Sequence, residues 1–146
     1  MALNMYLEAE VYIPHDFDSG KLDQIAMIVN GTTEFRPESV KFKIAYWCNA
    51  SHIHRWFVNY AADGNDDPRE VYVSDDAIET LADICREVLE NPGEAPQLLP
   101  TLDGFSMETI EYDDTYFADT KRTLECINKY LKSGLKNATL VYHASW

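Results

Sequence analysis

The 146-residue sequence has few basic residues, few cysteines and no long apolar run. Twelve lysines and arginines face 25 aspartates and glutamates, giving a net charge of -13. This charge argues against a broad basic surface for nucleic acid and against docking on anionic lipid. No window approaches the 18 apolar residues of a membrane span, so we expect no membrane partner. The three cysteines form no CxxC pair, which favours reduced thiols over a disulfide framework.

The rest of the composition is typical of one globular domain over residues 1–146. Hydrophobic residues make up 46% of the chain, enough for a buried core at this length. The first twelve residues contain Glu8 and Glu10 and no basic segment, so we expect no signal peptide and a cytoplasmic location.

The spacing of apolar residues predicts an α+β fold, with one mixed β-sheet of about four strands packed with about four helices. Alternating residues predict strands at 5–13, 40–47, 70–73 and 139–143. Helix-capping residues precede four stretches with helical spacing: Ser19, Asn49 or Ser51, Ser74, and Asp113 or Asp114. Gly31 and Gly134 are expected to end the first and last helices. Residues 91–111, rich in proline and glycine, are predicted to be a long connection.

The negative charge is concentrated in one segment of the chain. Seventeen acidic and two basic residues lie between Asp63 and Asp119, and the rest of the chain is slightly basic. Five acidic residues of the helix after Ser74 recur at steps of three and four, on one face: Asp76, Glu79, Asp83, Glu87 and Glu90. One interpretation is a solvated face that maintains solubility. The other is a surface for a basic partner, including mimicry of a nucleic-acid duplex.

Two histidines suggest metal or thiol chemistry, but their spacing supports neither strongly. His52 and His54, two positions apart on a helix, point in nearly opposite directions and cannot both bind one ion there. We expect one to be exposed and the other half-buried. Cys48 lies four residues before His52, a spacing that suggests an activated thiol. The acidic loop that begins at Asp63 lacks the glycine and the glutamate that a calcium loop requires.

Aromatic residues make up 12% of the chain, and most are expected in the core. Tyrosine and tryptophan are also favoured where one edge of the ring stays wet, as in ligand sites. We predict a ligand pocket where the strand at 40–47 leads into the helix with the two histidines, roofed by the 91–111 connection. Its candidate residues are Trp47, His54, Trp56, Asp66, Asp67 and Tyr112.

The segment that contains both histidines carries a longer motif. Residues 46–58 are Tyr-Trp-Cys-Asn-Ala-Ser-His-Ile-His-Arg-Trp-Phe-Val. They resemble the Tyr-Trp-Arg-Lys-Ala-Asn-x-Ile-His-x-Trp-Phe-Val segment of a family of small bacteriophage and prophage proteins, with His54 and Trp56 at the matching positions. Other motifs resemble the family in the same order: Met5-Tyr6-Leu7, Asp63 to Asp67, Tyr72-Val73-Ser74, Leu98 to Thr101, and Tyr112-Asp113. The resemblance implies a phage or prophage origin, and with it a location in the host cytoplasm, and it brings no assigned activity.

The chain departs from this family pattern at several positions. Cys48 and Asn49 replace the Arg-Lys pair, Ser51 replaces the Asn, and residues 105–108 replace a Phe-Phe-Phe-Gly stretch. If the basic pair meets an anion in the family, that role is in doubt here. The loss of two positive charges also sharpens the acidic character of the protein.

Three functions are open on this sequence. The first, which we favour, is a non-enzymatic binder that engages a basic surface of a host protein, such as a defence component, through residues 63–119. The second is a binder of a small, nucleotide-like ligand in the predicted pocket, and the third is a hydrolase or transferase that uses the same residues. We predict no catalytic residue, no metal and no cofactor. A homodimer is a further hypothesis, formed if Val141, Tyr142 and Trp146 lie at a sheet edge.

Overall fold

The computed structural model describes residues 2–102 and 111–146, so the segment 105–108 lies outside the described residues. Its strands are β1 (Asn4–Tyr12), β2 (Ser39–Cys48), β3 (Val71–Val73) and β4 (Ala138–Ser145). Its helices are α1 (Ser19–Asn30), α2 (Ser51–Tyr60), α3 (Asp75–Glu90), the short α4 (Ala95–Leu98) and α5 (Asp114–Lys132). The predicted α+β class, with a single four-stranded sheet, is confirmed.

The described sheet is antiparallel throughout, in the order β2-β1-β4-β3. The prediction of a mixed sheet was therefore wrong. The alternation of strands and helices along the chain suggested crossover connections, which would produce parallel pairs. Tyr12 at the end of β1 is instead the register partner of Ser39 at the start of β2. The chain therefore returns at the end of the sheet where it left, and α1 belongs to an excursion at that end.

The closing strand β4 lies inside the sheet, which corrects its predicted place at an edge. Val141 pairs with Glu8 of β1 on one side and with Tyr72 of β3 on the other. Tyr142 likewise has strand partners on both sides. A dimer through Val141 and Tyr142 would require β3 to leave the sheet, because these residues have no free edge.

One face of the sheet forms the core with the helices that cover it. Met5, Leu7 and Ala9 of β1 alternate with half-buried residues and are fully buried, as a one-sided antiparallel sheet requires. Helices α3 and α5 pack on each other, and α5 also contacts β2. The largest fully buried side chains include Trp47, Phe57, Leu3, Met5, Leu7, Ile53, Ile78, Leu81, Leu99, Ile127, Leu140 and His54.

Two of the predicted helix caps form, one is made by a neighbouring residue, and one does not form. Ser74 accepts the amide of Ala77, and Asp113 accepts the amide of Tyr116, as predicted. The first helix is capped by the side chain of Asp18 rather than by Ser19, because a carboxylate reaches the free amides of the first turn from one position earlier.

Helix α2 has no side-chain cap, since the oxygen of Asn49 accepts the amide of Leu3 instead. Asn49 adopts a positive φ of 61° and links the end of β2 to the start of β1. Asparagine tolerates this left-handed conformation better than most residues. Asn49 therefore fixes the end of β2 against the start of β1 and does not cap α2.

The predicted connection at 91–111 contains helical structure where it is described. A 3-10 turn at Pro92–Glu94 runs into α4, and Ala95 and Leu99 are buried. Proline is tolerated in the first turn of a helix, because its missing amide hydrogen has no partner there. Proline and glycine content therefore predicted a longer irregular segment than the one that forms. No helix in the described ranges is long and apolar enough to cross a bilayer.

Candidate functional site

His54 is the centre of a buried polar cluster that joins α2, β4 and the loop after α2. Its side chain is 1% exposed. Its Nδ1 lies 2.7 Å from the hydroxyl of Tyr142, and its Nε2 lies 2.9 Å from Oδ1 of Asp66. The Asp66 side chain is 33% exposed, so the cluster runs from the core to the surface.

Local packing fixes both partners of His54. Phe57, one turn further along α2, stacks on the Tyr142 ring with centroids 4.0 Å apart. After α2 the chain reverses through Asp63 and Gly64, whose φ angles are 51° and 81°. The amide of Gly64 donates to the carbonyl of Val58, which closes the turn and brings Asp66 back against the helix.

Asp66 and Tyr142 together set the direction of the hydrogen bonds in this cluster. Burial, with a smaller contribution from the charge of Asp66, raises the pKa of Tyr142 well above its ordinary value, so its hydroxyl keeps its proton. Because a carboxylate only accepts, Nε2 of His54 donates to Asp66, and in that tautomer Nδ1 accepts from the Tyr142 hydroxyl. One tautomer of the imidazole satisfies both contacts, and the carboxylate is held in a fixed orientation.

Asp66 faces a cavity of about 440 Å³ on the outer side of α2. Arg55 and Asn59, one turn apart on the helix, form one wall. Thr101 and Leu102 of the connection form another. The volume is in the range of small-ligand sites. The cavity therefore places a guanidinium, an amide and an oriented carboxylate around one space.

The described start of the connection after α4 lies over α2, as predicted. Arg55 donates from Nη1 to the carbonyl oxygen of Thr101 at 2.6 Å. The amide of Leu102 lies 3.4 Å from the hydroxyl of Ser51, and Tyr116 donates to the carbonyl of Leu99 at 2.7 Å. These bonds attach the described part of the connection to α2 and to α5.

The two candidate tryptophans do not line this cavity. Trp47 is fully buried and donates its indole N–H to Thr123 of α5 at 2.8 Å. Trp56 is 3% exposed and stacks on Tyr60 with centroids 5.0 Å apart. It lines a separate cavity of about 200 Å³ with His52. Its indole N–H has no acceptor in the described part of the chain.

Asp67 and Tyr112, the other two candidates, also lie apart from His54. Asp67 accepts the side chain and the backbone amide of Arg69, and the side-chain hydrogen bond lowers the pKa of Asp67. The Tyr112 hydroxyl is 3.4 Å from the amide of Thr101. Of the six predicted pocket residues, His54 and Asp66 are joined by a side-chain hydrogen bond.

His52 is as buried as His54, where one exposed and one half-buried histidine were expected. The two rings do point in opposite directions, but α2 is covered on both sides. The ring of His52 packs against Tyr116 with centroids 4.1 Å apart, and its Nε2 lies 3.2 Å from Oγ1 of Thr120. Thr120 donates to the carbonyl of Tyr116, so it accepts from His52. Burial lowers the pKa of His52 to about 3.

The structure does not form the activated thiol suggested by the spacing of Cys48 and His52. Cys48 is exposed at the end of β2, whereas His52 is buried against α5. Both residues lie in the described part of the chain, and no hydrogen bond joins them. No group of three or more metal-ligating side chains with suitable geometry occurs within residues 2–102 and 111–146.

The acidic residues of α3 form a separate exposed surface, which we call the acidic face: Asp76, Glu79, Asp83, Glu87 and Glu90. Their opposite side is apolar and buried, with Ile78, Leu81 and Cys85 in the core. Among the described residues, the ion pair made by this face is between Asp83 and Arg86 at 2.6 Å.

Sequence reasoning missed Tyr142, Arg55 and Asn59. Arg55 and Asn59 carried a signal, since polar residues at positions i and i+4 share one face of the helix beside a loop rich in aspartate. Tyr142 had no such signal, because it is separated from His54 by 88 positions in sequence. The pairing of β4 in the sheet brings it close to His54. Comparisons with protein-family models, curated proteins and solved structures found no match.

Proposed function

We propose that the protein acts by non-catalytic binding of a partner protein, and that the acidic face of α3 is the contact surface. The observation that carries this proposal is that all five acidic side chains of the face are exposed on one 16-residue helix. Like charges at this spacing cost a few tenths of a kcal/mol per pair on an isolated helix. A basic partner would remove that repulsion on binding.

The five charges of the acidic face form one row along α3. From Asp76 to Glu90 the face extends about 21 Å along the helix axis, at a rise of about 1.5 Å per residue. Its charges are therefore about 5 Å apart along the axis, and a basic protein surface can pair with such a row. The resemblance to bacteriophage proteins supports a bacterial host factor, such as a defence component, as the partner.

A test compares two variants that lose the same number of charges. The first carries Asp76→Asn, Glu79→Gln, Glu87→Gln and Glu90→Gln and keeps the Asp83–Arg86 pair. The control carries Asp16→Asn, Glu34→Gln, Glu38→Gln and Glu125→Gln, at exposed positions outside α3. Each protein is immobilised and exposed to a bacterial lysate at low and high salt, after its cooperative unfolding has been checked.

We expect one partner to be captured by the wild type and the control and to be reduced roughly tenfold or more by the α3 variant. Its capture should also weaken as salt rises, because exposed charges are screened. Equal losses in both variants would show that general acidity, and not the acidic face, causes the binding. A partner retained in full by the α3 variant would contradict the proposal.

A further inference from the structure

The cavity beside Asp66 contains two opposite charges that do not neutralise each other. Arg55 and Asp66 both line it, and no ion pair joins them within the described ranges. Arg55 uses Nη1 on the carbonyl of Thr101, which fixes the guanidinium and leaves its other N–H groups available. Asp66 uses Oδ1 on His54, which fixes the carboxylate and leaves Oδ2 available. Each charged group is thus positioned by a protein contact before any ligand arrives.

The lining of the cavity discriminates between classes of ligand. The described residues that line it include no aromatic ring, since Trp56 and Tyr60 belong to the neighbouring cavity. Among these residues a nucleobase would find no ring to stack on, and stacking usually supports its binding. A simple anion would be opposed by the net charge of -13, and a simple cation would leave Arg55 without a partner. A neutral molecule with one ammonium and one carboxylate avoids all three problems.

We propose that this cavity binds a small zwitterion of the free amino acid class. Its ammonium group donates to Asp66 and its carboxylate accepts from Arg55. The amide of Asn59 supplies an additional polar contact on the same wall. The imidazole of His54 acts as a positioning group that holds the carboxylate of Asp66. This site is independent of the acidic face of α3, and either proposal can fail without the other.

The experiment uses ω-amino acids of increasing length as molecular rulers. Glycine, β-alanine, 4-aminobutyrate and 6-aminohexanoate are titrated into the full chain, and backbone amide shifts are followed by NMR. We expect saturable binding that is tightest at one length, with a dissociation constant on the order of 1 mM or below. The largest shifts should occur at Asn59, Gly64 and Asp66. The N-acetyl and methyl ester derivatives of the best ligand should each bind roughly tenfold more weakly, because each lacks one charge.

Matched variants locate the site. Asp66→Asn keeps an acceptor for His54, and Arg55→Gln keeps an N–H donor, so both should fold while each weakens binding roughly tenfold. The controls are Asp63→Asn and Arg69→Gln, which alter charges of the same loop outside the cavity. They should leave the binding constant unchanged.

Three results would overturn the proposal. The first is the absence of saturable binding by any ω-amino acid at about 10 mM, well above the expected dissociation constant. The second is binding that is insensitive to both Asp66→Asn and Arg55→Gln in folded proteins. The third is preferential binding of guanosine monophosphate at the same amides, which would assign the cavity to a nucleotide.

Discussion

His52 and His54 are two positions apart on α2, and their rings face opposite sides of the helix. His52 lies 3.2 Å from Thr120 of α5, and His54 lies 2.9 Å from Asp66 at the rim of the cavity. One histidine therefore belongs to the helix–helix contact and the other to the polar cluster. The two are expected to differ in what they control: His52 the pH dependence of folding, and His54 the geometry of the site.

His52 should make the protein less stable in mild acid. Burial lowers its pKa to about 3. In mild acid this imidazole therefore binds a proton in the unfolded chain and stays neutral in the folded chain. Its contribution to stability is therefore lost as pH falls below its unfolded pKa of about 6.5. Between pH 7 and pH 5 the free energy of unfolding should fall by about 2 kcal/mol from this group alone. Urea unfolding at both pH values measures the change.

The comparison variant is His52→Gln, which has an N–H donor for Thr120 and no titrating group. Its free energy of unfolding should change by about 2 kcal/mol less than that of the wild type over the same interval, whatever its absolute value. Burial also raises the pKa of the Asp119 carboxyl, an effect of opposite sign that both proteins share. A wild type and variant with the same pH dependence would show that His52 is not the responsible group.

The sequence predicted the elements of the fold better than their arrangement. Local signals were sufficient for α3, where Ser74 caps the helix and the acidic residues alternate with Ile78, Leu81 and Cys85. The antiparallel order was not predictable, because strand pairing joins residues far apart, as when Tyr72 meets Val141. Apolar spacing says which residues are buried and does not say which strand is their neighbour.

The candidate site was predictable only in part for the same reason. His54 and Asp66 are 12 positions apart and flank one turn, so a local argument placed them near each other. The pocket prediction included Trp47 and Trp56 because they are aromatic and lie on either side of the predicted strand-to-helix junction. The packing of α5 against β2 instead buries Trp47 and gives its N–H to Thr123.

The two buried tryptophans should respond differently to the same substitution. Trp47→Phe removes a hydrogen bond to Thr123 and leaves a small void, which should cost about 2 kcal/mol in the free energy of unfolding. Trp56→Phe leaves a similar void but also removes a buried N–H that has no acceptor among the described residues. That relief offsets the loss, so the second variant should lie within about 0.5 kcal/mol of the wild type. Equal losses in urea unfolding would contradict the assignment.

Cys48 and Cys85 should react at different rates in the folded protein. Cys48 is exposed, whereas Cys85 is buried in α3 and burial raises its pKa to about 12. The thiolate is the reactive form, and a pKa higher by about three units reduces its population ~1000-fold. Iodoacetamide should modify Cys48 in the native state and Cys85 only after unfolding, as judged by peptide mass spectrometry. Rapid native labelling of Cys85 would show that α3 opens readily from the core.

Gly64 should be required because of the backbone conformation of the turn, and not because a side chain would clash there. Its φ of 81° is unfavourable for residues with a Cβ, and an added Cβ would meet nothing within 4 Å. Gly64→Ala should therefore lower the free energy of unfolding by about 1 kcal/mol through backbone strain. The same change should weaken zwitterion binding, because the turn places Asp66 against His54. Gly64→Asn should recover part of both losses, since asparagine tolerates this conformation.

Gly93 provides the control for Gly64, because an added Cβ there also meets nothing within 4 Å and its φ is not positive. Gly93→Ala should leave stability unchanged or raise it by a few tenths of a kcal/mol, through the lower entropy of the unfolded chain. If both alanine variants are equally stable, the left-handed turn carries no strain. In that case the contact with His54, and not the turn, holds Asp66 in place. Asp66→Asn preserves that contact and should leave the backbone amide shifts of the loop unchanged, whereas Asp66→Ala should change them.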